Sequence, residues 1–269
     1  MEFSPDMPST SDIEFIDTHC HLESEKFDAD RDAVIDRALS AGVTRMICVA
    51  TNAGDARAVT DLAARRPGVF MALGLHPHDA KSATPDMMAD FERMAEGPKV
   101  VAWGEIGLDY HYDFSPRDVQ RRVFADQIRL ARKHDLPIVI HSREADDDTL
   151  AILADEADGP YRGVFHCFAG DEAMAGRVMA MGFALSFTGT VTFKPEMPSH
   201  AVIRRAGLGA VMTETDAPYM APKPDRGKRC EPAHVVRVAE TFARVLDVPL
   251  AEVAASALAT ARRVFPRLV

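Results

Sequence analysis

Apolar positions along this chain follow two periods in turn. Short runs rich in Val, Ile, Leu and Phe occur at Ile13–Asp17, Val43–Ala50, Val69–Gly74, Val100–Gly104, Ile138–Ile140, Gly163–Phe165, Phe183–Phe187 and Ala210–Thr213, and predict eight strands. Between them, Asp30–Ala41, Ala53–Arg66, Pro85–Ala95, Arg117–His134, Asp146–Glu156 and Asp171–Met181 repeat their apolar residues at three- and four-residue spacing, which predicts helices. Pro232–Leu246 and Leu250–Phe265 read as two closing helices, broken by Asp247-Val248-Pro249. Strict alternation of strand and helix favours a parallel sheet, and eight units favour closure into a (β/α)8 TIM barrel. An open doubly wound sheet is the alternative. It would call for a phosphate-binding glycine turn after the first strand, where Asp17-Thr18-His19-Cys20-His21 stands instead.

Composition narrows this without changing it. The 269 residues, 47% hydrophobic and 27% charged, suffice for one substantial core. No Ser/Gly linker or tandem repeat divides them, so we expect a flexible tail over residues 1–11 and a single barrel domain over 12–269. The first residues lack a basic start with an apolar centre, and no apolar run reaches the roughly 18 residues of a membrane span, which makes the cytoplasm the expected location. Cys20, Cys48, Cys167 and Cys230 are scattered and read as reduced thiols. A net charge of −10 argues against a globally positive nucleic-acid-coating surface, but not against a phosphate-bearing substrate held by cations in a cleft.

The candidate chemistry lies where strands are expected to end, the catalytic face of such barrels. His19 and His21 follow the first strand, His76 and His78 the third, Glu105 the fourth, His141 the fifth, His166 the sixth and Asp216 the eighth, whereas His111, His134, His200 and His234 fall elsewhere. Residues two apart on a strand share a face, so His19 and His21 can grip one ion while Cys20 points away. An unpaired carboxylate deep in the mouth calls for a cation, and the two oxygens of Glu105 can serve two. His141 and His166 offer a second set of nitrogen ligands. Asp216 is placed to hold the first ion and to accept a proton from water. Two divalent cations about 3.5–4 Å apart suit hydrolysis. No nucleophile elbow, catalytic Cys context or P-loop competes.

Six ordered motifs carry a resemblance. They are Phe15-Ile16-Asp17-Thr18-His19-Cys20-His21-Leu22, Gly74-Leu75-His76-Pro77-His78, Gly104-Glu105-Ile106-Gly107-Leu108-Asp109-Tyr110, Ile140-His141-Ser142-Arg143, His166-Cys167-Phe168-Ala169-Gly170 and Thr213-Glu214-Thr215-Asp216-Ala217-Pro218-Tyr219. Through nearly the whole chain after residue 12, it resembles the TatD family of metal-dependent deoxyribonucleases, within the amidohydrolase-like barrels. The resemblance implies one metal on His19, His21, Glu105 and Asp216, and another on Glu105, His141 and His166, with His76 near the substrate phosphate. It further implies hydrolysis of phosphodiester bonds in DNA, from a 3′ end and on single strands, with magnesium, manganese or zinc. Two positions depart from the family pattern: Arg229-Cys230-Glu231-Pro232 replaces Arg-Asn-Glu-Pro, and Thr260 stands where Asn is usual. They bear on how the loop after strand eight and the last helix are held.

Two other readings remain. A barrel hydrolase of cyclic amides or non-nucleic phosphoesters often bridges its metals through a carbamylated lysine at strand four, but Val100–Asp109 contains no Lys. A non-catalytic metal-binding barrel would keep the ligands without turnover. No obligatory protein partner or membrane is indicated. For substrate contact, Arg143 follows a proposed ligand, and Lys223, Arg226, Lys228 and Arg229 make a basic loop after Asp216 suited to flanking phosphates of single-stranded DNA.

Overall fold

Branched and planar side chains fit the pleated, doubly covered surface of a buried parallel strand, and the computed structural model, which describes residues 13–269, has a strand at each expected run. The tail expected over residues 1–11 lies outside the described residues. Strands β1 (Phe15–Cys20), β2 (Val43–Ala50), β3 (Val69–Leu73), β4 (Val100–Asp109), β5 (Ile138–Arg143), β6 (Gly163–Phe165), β7 (Phe183–Phe187) and β8 (Val211–Thr213) form one sheet in sequence order. Neighbours pair in parallel throughout.

The first and last strands meet through side chains. The Thr18 hydroxyl donates to the Thr213 carbonyl at 3.1 Å, and the Thr213 hydroxyl to the Ile16 carbonyl at 3.1 Å. Just beyond, the Asp216 N–H donates to the His19 carbonyl at 2.9 Å and the His21 N–H to the Ala217 carbonyl at 2.7 Å. The seam that closes the (β/α)8 barrel is therefore the one that brings His19, His21 and Asp216 together.

Helices α1 (Arg31–Ser40), α2 (Ala53–Arg65), α3 (Pro85–Ala95), α4 (Arg117–Lys133), α5 (Asp146–Asp155), α6 (Glu172–Ala180) and α7 (Pro198–Ala206) connect successive strands, and α8 (Val235–Leu246) and α9 (Leu250–Val264) close the chain. Their starts carry local reasons. Asn52 caps α2 through the N–H groups of Gly54 and Asp55, Thr84 caps α3 through Met87, and Asp171 caps α6 through Met174. The interior of the sheet holds Ile16, Ile47, Val49, Phe70, Val139 and Met212, packed with Ala261, Val264 and Phe265 from α9 and the turn after it. It is a filled core, not a pore.

Three features differ from expectation. Helix α7 was not among the expected elements; Pro198 at its first turn and Gly207 at φ 68° just past its end leave it nine residues, short for a periodicity signal. The last helical segment of Pro232–Leu246 begins as a separate short turn, Pro232–His234, before α8. Strand β4 continues to Asp109 with a register shift between Trp103 and Ile106, so Glu105 lies within the strand and not at its end. Gly107 permits that continuation: at φ 142°, a Cβ there would stand 2.0 Å from the His141 carbonyl oxygen.

Gln127 on α4 holds the approach to the site. Its buried amide donates to the Leu75 carbonyl at 2.9 Å, and its oxygen accepts from the Leu75 N–H at 2.7 Å and the Trp103 indole at 3.2 Å. Gln127→Leu would strip partners from three buried groups, and we expect a loss of about 2–5 kcal/mol in unfolding free energy. Denaturant titration measures this; a change below about 0.5 kcal/mol would mean these groups find other partners.

Candidate metal centre

His19, the penultimate residue of β1, is fully buried, and His21 follows two residues later on the same side. Their Nε2 atoms are 3.2 Å apart. Cys20, between them, packs into the helix-facing core with Sγ 3.5 Å from the Ile47 carbonyl. His21 Nδ1 is held by the Val49 carbonyl at 3.1 Å and Glu23 at 3.2 Å, which aims Nε2 inward. Asp216 Oδ1 completes the group, 3.4 Å from His21 Nε2 and 3.8 Å from His19 Nε2. Asp216 has a left-handed backbone at φ 55°, which Asp tolerates better than most residues.

Glu105 joins this group to a second one. Its Oε2 lies 3.4 Å from His19 Nε2, while Oε1 lies 2.7 Å from His166 Nε2, 2.8 Å from His141 Nδ1 and 3.5 Å from His76 Nε2. Two triads, His19–His21–Asp216 and His76–Glu105–His141, each offer three ligand atoms within 4.8 Å of one another. His76, expected near a substrate phosphate, thus stands against the same oxygen as His141 and His166.

The electrostatics fit cations. Burial would raise Glu105, but the surrounding imidazoles, His166 and His76 foremost, outweigh it and hold the carboxyl well below its usual range. Burial likewise opposes ionisation of Asp216, and the hydrogen bond and charge of His21 overcome it. His166 is pushed well above its ordinary value despite burial, because Glu105 faces it. His76, where burial dominates, falls to about 4. Two ionised carboxylates therefore draw positive charge into a water-poor pocket, and facing imidazole nitrogens 3.2 Å apart suit an ion between them better than a hydrogen bond. Nδ1 of His19 and of His166 are buried without a hydrogen-bond partner among the described residues. A third group, His19–His166–Glu214, surrounds them. The mixed donor set of imidazole and carboxylate can hold a divalent cation.

Sequence reasoning missed the carboxylates behind these ligands. Asp109 is buried and accepts from His141 at 3.2 Å and His78 at 2.8 Å, and the backbone N–H groups of His111 and Tyr112 fix its other oxygen. Glu214 accepts from the Cys167 N–H at 2.5 Å and the Ser186 hydroxyl at 2.6 Å, 3.7 Å from His166. The signal for Asp109 was its spacing, since positions 105, 107 and 109 of one strand share a face. Such partners fix the ring orientation of ligating histidines.

At the rim, Arg143 is exposed, sits 4.8 Å over the Tyr112 ring, and has no carboxylate partner among the described residues. Lys223 is exposed, and Lys228 pairs with Asp225 alone among the described residues. Arg229 is differently placed from the expectation of a phosphate contact: its guanidinium binds both Asp30 oxygens at 2.7 and 2.8 Å and Glu231 at 2.9 Å, over the Phe27 ring. With its donors so engaged, it pins the loop after β8 to the start of α1. Cys230 beside it is buried in the core, its N–H donating to the Pro218 carbonyl at 3.0 Å.

Comparison with known proteins identifies the family of this barrel. The sequence model described as TatD related DNase matches residues 16–266. An uncharacterized metal-dependent hydrolase, YabD of Bacillus subtilis, is 39% identical over 249 residues, covering 93% of this chain and 98% of the relative. A protein named 3′-5′ ssDNA/RNA exonuclease TatD, from Cronobacter sakazakii, is 33% identical over 255 residues, 93% and 97% of the two chains. The crystal structure of YJJV, a TatD homolog from Escherichia coli K12, superposes with a TM-score of 0.87 at 31% identity, covering 94% of this chain and 98% of that one. No helix among the described residues is long and apolar enough to cross a membrane. With the six motifs gathered on one barrel mouth, this chain belongs to the TatD-related DNase family of metal-dependent hydrolases.

Proposed function

We propose that this protein is a nuclease that hydrolyses phosphodiester bonds of single-stranded DNA from the 3′ end. The observation that carries the reading is Glu105, whose two oxygens face two separate ligand groups. In this reading His19, His21, Glu105 and Asp216 hold one divalent cation, and Glu105, His141 and His166 the other, with His76 beside them. Bound there, the two ions would supply Lewis acidity at the scissile phosphodiester and lower the pKa of the attacking water. Asp216, ionised at neutral pH, accepts the proton of that water on a carboxylate oxygen. Asp109 keeps the His141 ring aimed at Glu105. Arg143, Lys223 and Lys228 offer cations to flanking phosphates, while Arg229 shapes the loop. The name of the Cronobacter relative supports the substrate class. Unpaired cysteines suit a reducing compartment, and we place the protein in the cytoplasm.

The test is metal-stripped protein reloaded with magnesium, manganese or zinc and offered end-labelled single-stranded DNA, duplex DNA, RNA and non-nucleic phosphodiesters. We expect about two ions per chain at saturation, activity abolished by chelation, and stepwise shortening of single strands from the 3′ end. A firm limit of one ion would sink the binuclear reading. Turnover confined to non-nucleic esters or amides would replace the substrate class, and a loaded protein inert on everything would make it a binding protein.

A further inference from the structure

Of the six large hydrophobic side chains most exposed among the described residues, four stand on loops at the catalytic mouth: Tyr112 and Phe114 after β4, Tyr219 and Met220 after β8. The first pair is the more organised. Tyr112 and Phe114 are 47% and 55% exposed, yet their rings lie parallel, centroids 5.2 Å apart and planes 10° apart. The loop beneath them is fixed. The Tyr112 N–H donates to Asp109 at 3.0 Å, and the Ser115 hydroxyl donates to the His78 carbonyl at 2.7 Å and accepts from the Lys81 N–H at 3.0 Å. His78 stands edge-on to both rings, 4.8 Å from Phe114 and 5.5 Å from Tyr112.

A held aromatic pair whose rings are each about half exposed to water suits a planar ligand. Their position selects which. Phe114 touches His78, His78 and His141 share Asp109, and His141 touches Glu105, so the platform adjoins the reacting centre. Arg143, over Tyr112 and without a carboxylate partner among the described residues, adds a cation beside an acidic stretch, Glu144, Asp146 and Asp147, that would repel phosphates. Stacking faces with a cation alongside are what unpaired nucleobases use. Resting on the nuclease reading above, we propose that Tyr112 and Phe114 form a stacking platform for one unpaired base of the substrate strand, next to the scissile phosphate. The platform favours single strands because a base within a duplex has both faces already covered.

The experiment compares wild type with Phe114→Ala, Phe114→Leu and Phe114→Trp on single-stranded oligonucleotides that carry one abasic residue at successive positions from the 3′ end. Phe114→Ala is expected to lower kcat/KM on the intact strand roughly 5- to 150-fold, mainly through KM, with Phe114→Trp restoring it. At one abasic position wild type should lose about as much, and Phe114→Ala should lose nothing further there. Phe114→Leu keeps apolar volume without the ring face, so it should behave as the alanine variant does; full activity in it would overturn stacking. Losses that add at every position, or no loss in Phe114→Ala, would also overturn the platform while leaving the nuclease reading intact. A mass in sedimentation that halves on Phe114→Ala would assign the rings to contact with a second copy instead. Wild type inert on every oligonucleotide would fail the nuclease reading itself, and the platform with it.

Discussion

Replacing Glu105 with Gln is expected to cut turnover by roughly 10³-fold or more, beyond the 10–100-fold typical of residues that only orient a ligand, and to release at least one of two bound cations. The reason is the number of groups that depend on one carboxylate. Oε1 faces His141, His166 and His76 within 3.5 Å and Oε2 faces His19 at 3.4 Å, so one side chain answers both ligand groups. Gln keeps the shape but removes the charge and turns one oxygen into an N–H donor pointed at imidazoles or at a cation. The neighbouring histidines also lose a carboxylate: Glu105 is foremost in raising His166 against the cost of burial, and with Asp109 it raises His141. Turnover and elemental analysis on the same preparation measure the effect. Near-normal turnover with two ions per chain would show that Glu105 joins nothing essential. A folded variant that binds no ion would instead make the two positions interdependent.

How far the sequence reveals this protein varies with the range of the interaction concerned. Strands β2, β6 and β7 match their expected bounds because a buried parallel strand reads as a mostly apolar run, interrupted here only by Thr44 and Arg45 in β2 and Ser186 in β7. Helix α3 does so because Thr84 and Pro85 mark its start chemically. Strand β4 outran its expected end because Glu105, Gly107 and Asp109 are polar or small. What keeps the strand extended beyond Glu105 is pairing of Gly107, Leu108 and Asp109 with His141, Ser142 and Arg143 of β5, a non-local interaction. The histidines and acids proposed as ligands converge, and strand-end position was the signal. Asp109 and Glu214 stand in the motifs but received no role, because an acid that supports a histidine looks, in sequence, like any other acid. Arg229 shows the converse. A basic loop suggests phosphate, yet Asp30, about two hundred positions earlier in the chain, is the carboxylate that takes it up. No local pattern could report that pairing.

Asp216→Asn is expected to lower turnover by roughly 10²–10⁴-fold, the range for losing a general base, with a smaller change in substrate affinity. The substitution isolates chemistry from folding better than most. Asp216 sits at φ 55°, a conformation Asn adopts as readily as Asp, so the turn after β8 need not move. Its backbone N–H, bonded to the His19 carbonyl at 2.9 Å, is retained, and the seam that closes the barrel survives. What changes is the side chain facing His21 Nε2 at 3.4 Å, where an ionised carboxylate gives way to a neutral amide unable to take a proton. His21 stands well above its ordinary pKa, burial notwithstanding, because Asp216 and Glu23 both face it. Removing one of those charges should weaken its hold on a cation as well. Metal content therefore has to be measured beside turnover. If the variant is slow even when fully loaded, Asp216 acts on the proton; if excess metal restores the rate, its role is confined to ligation. Near-normal turnover in a loaded variant without any excess would remove Asp216 as the base altogether.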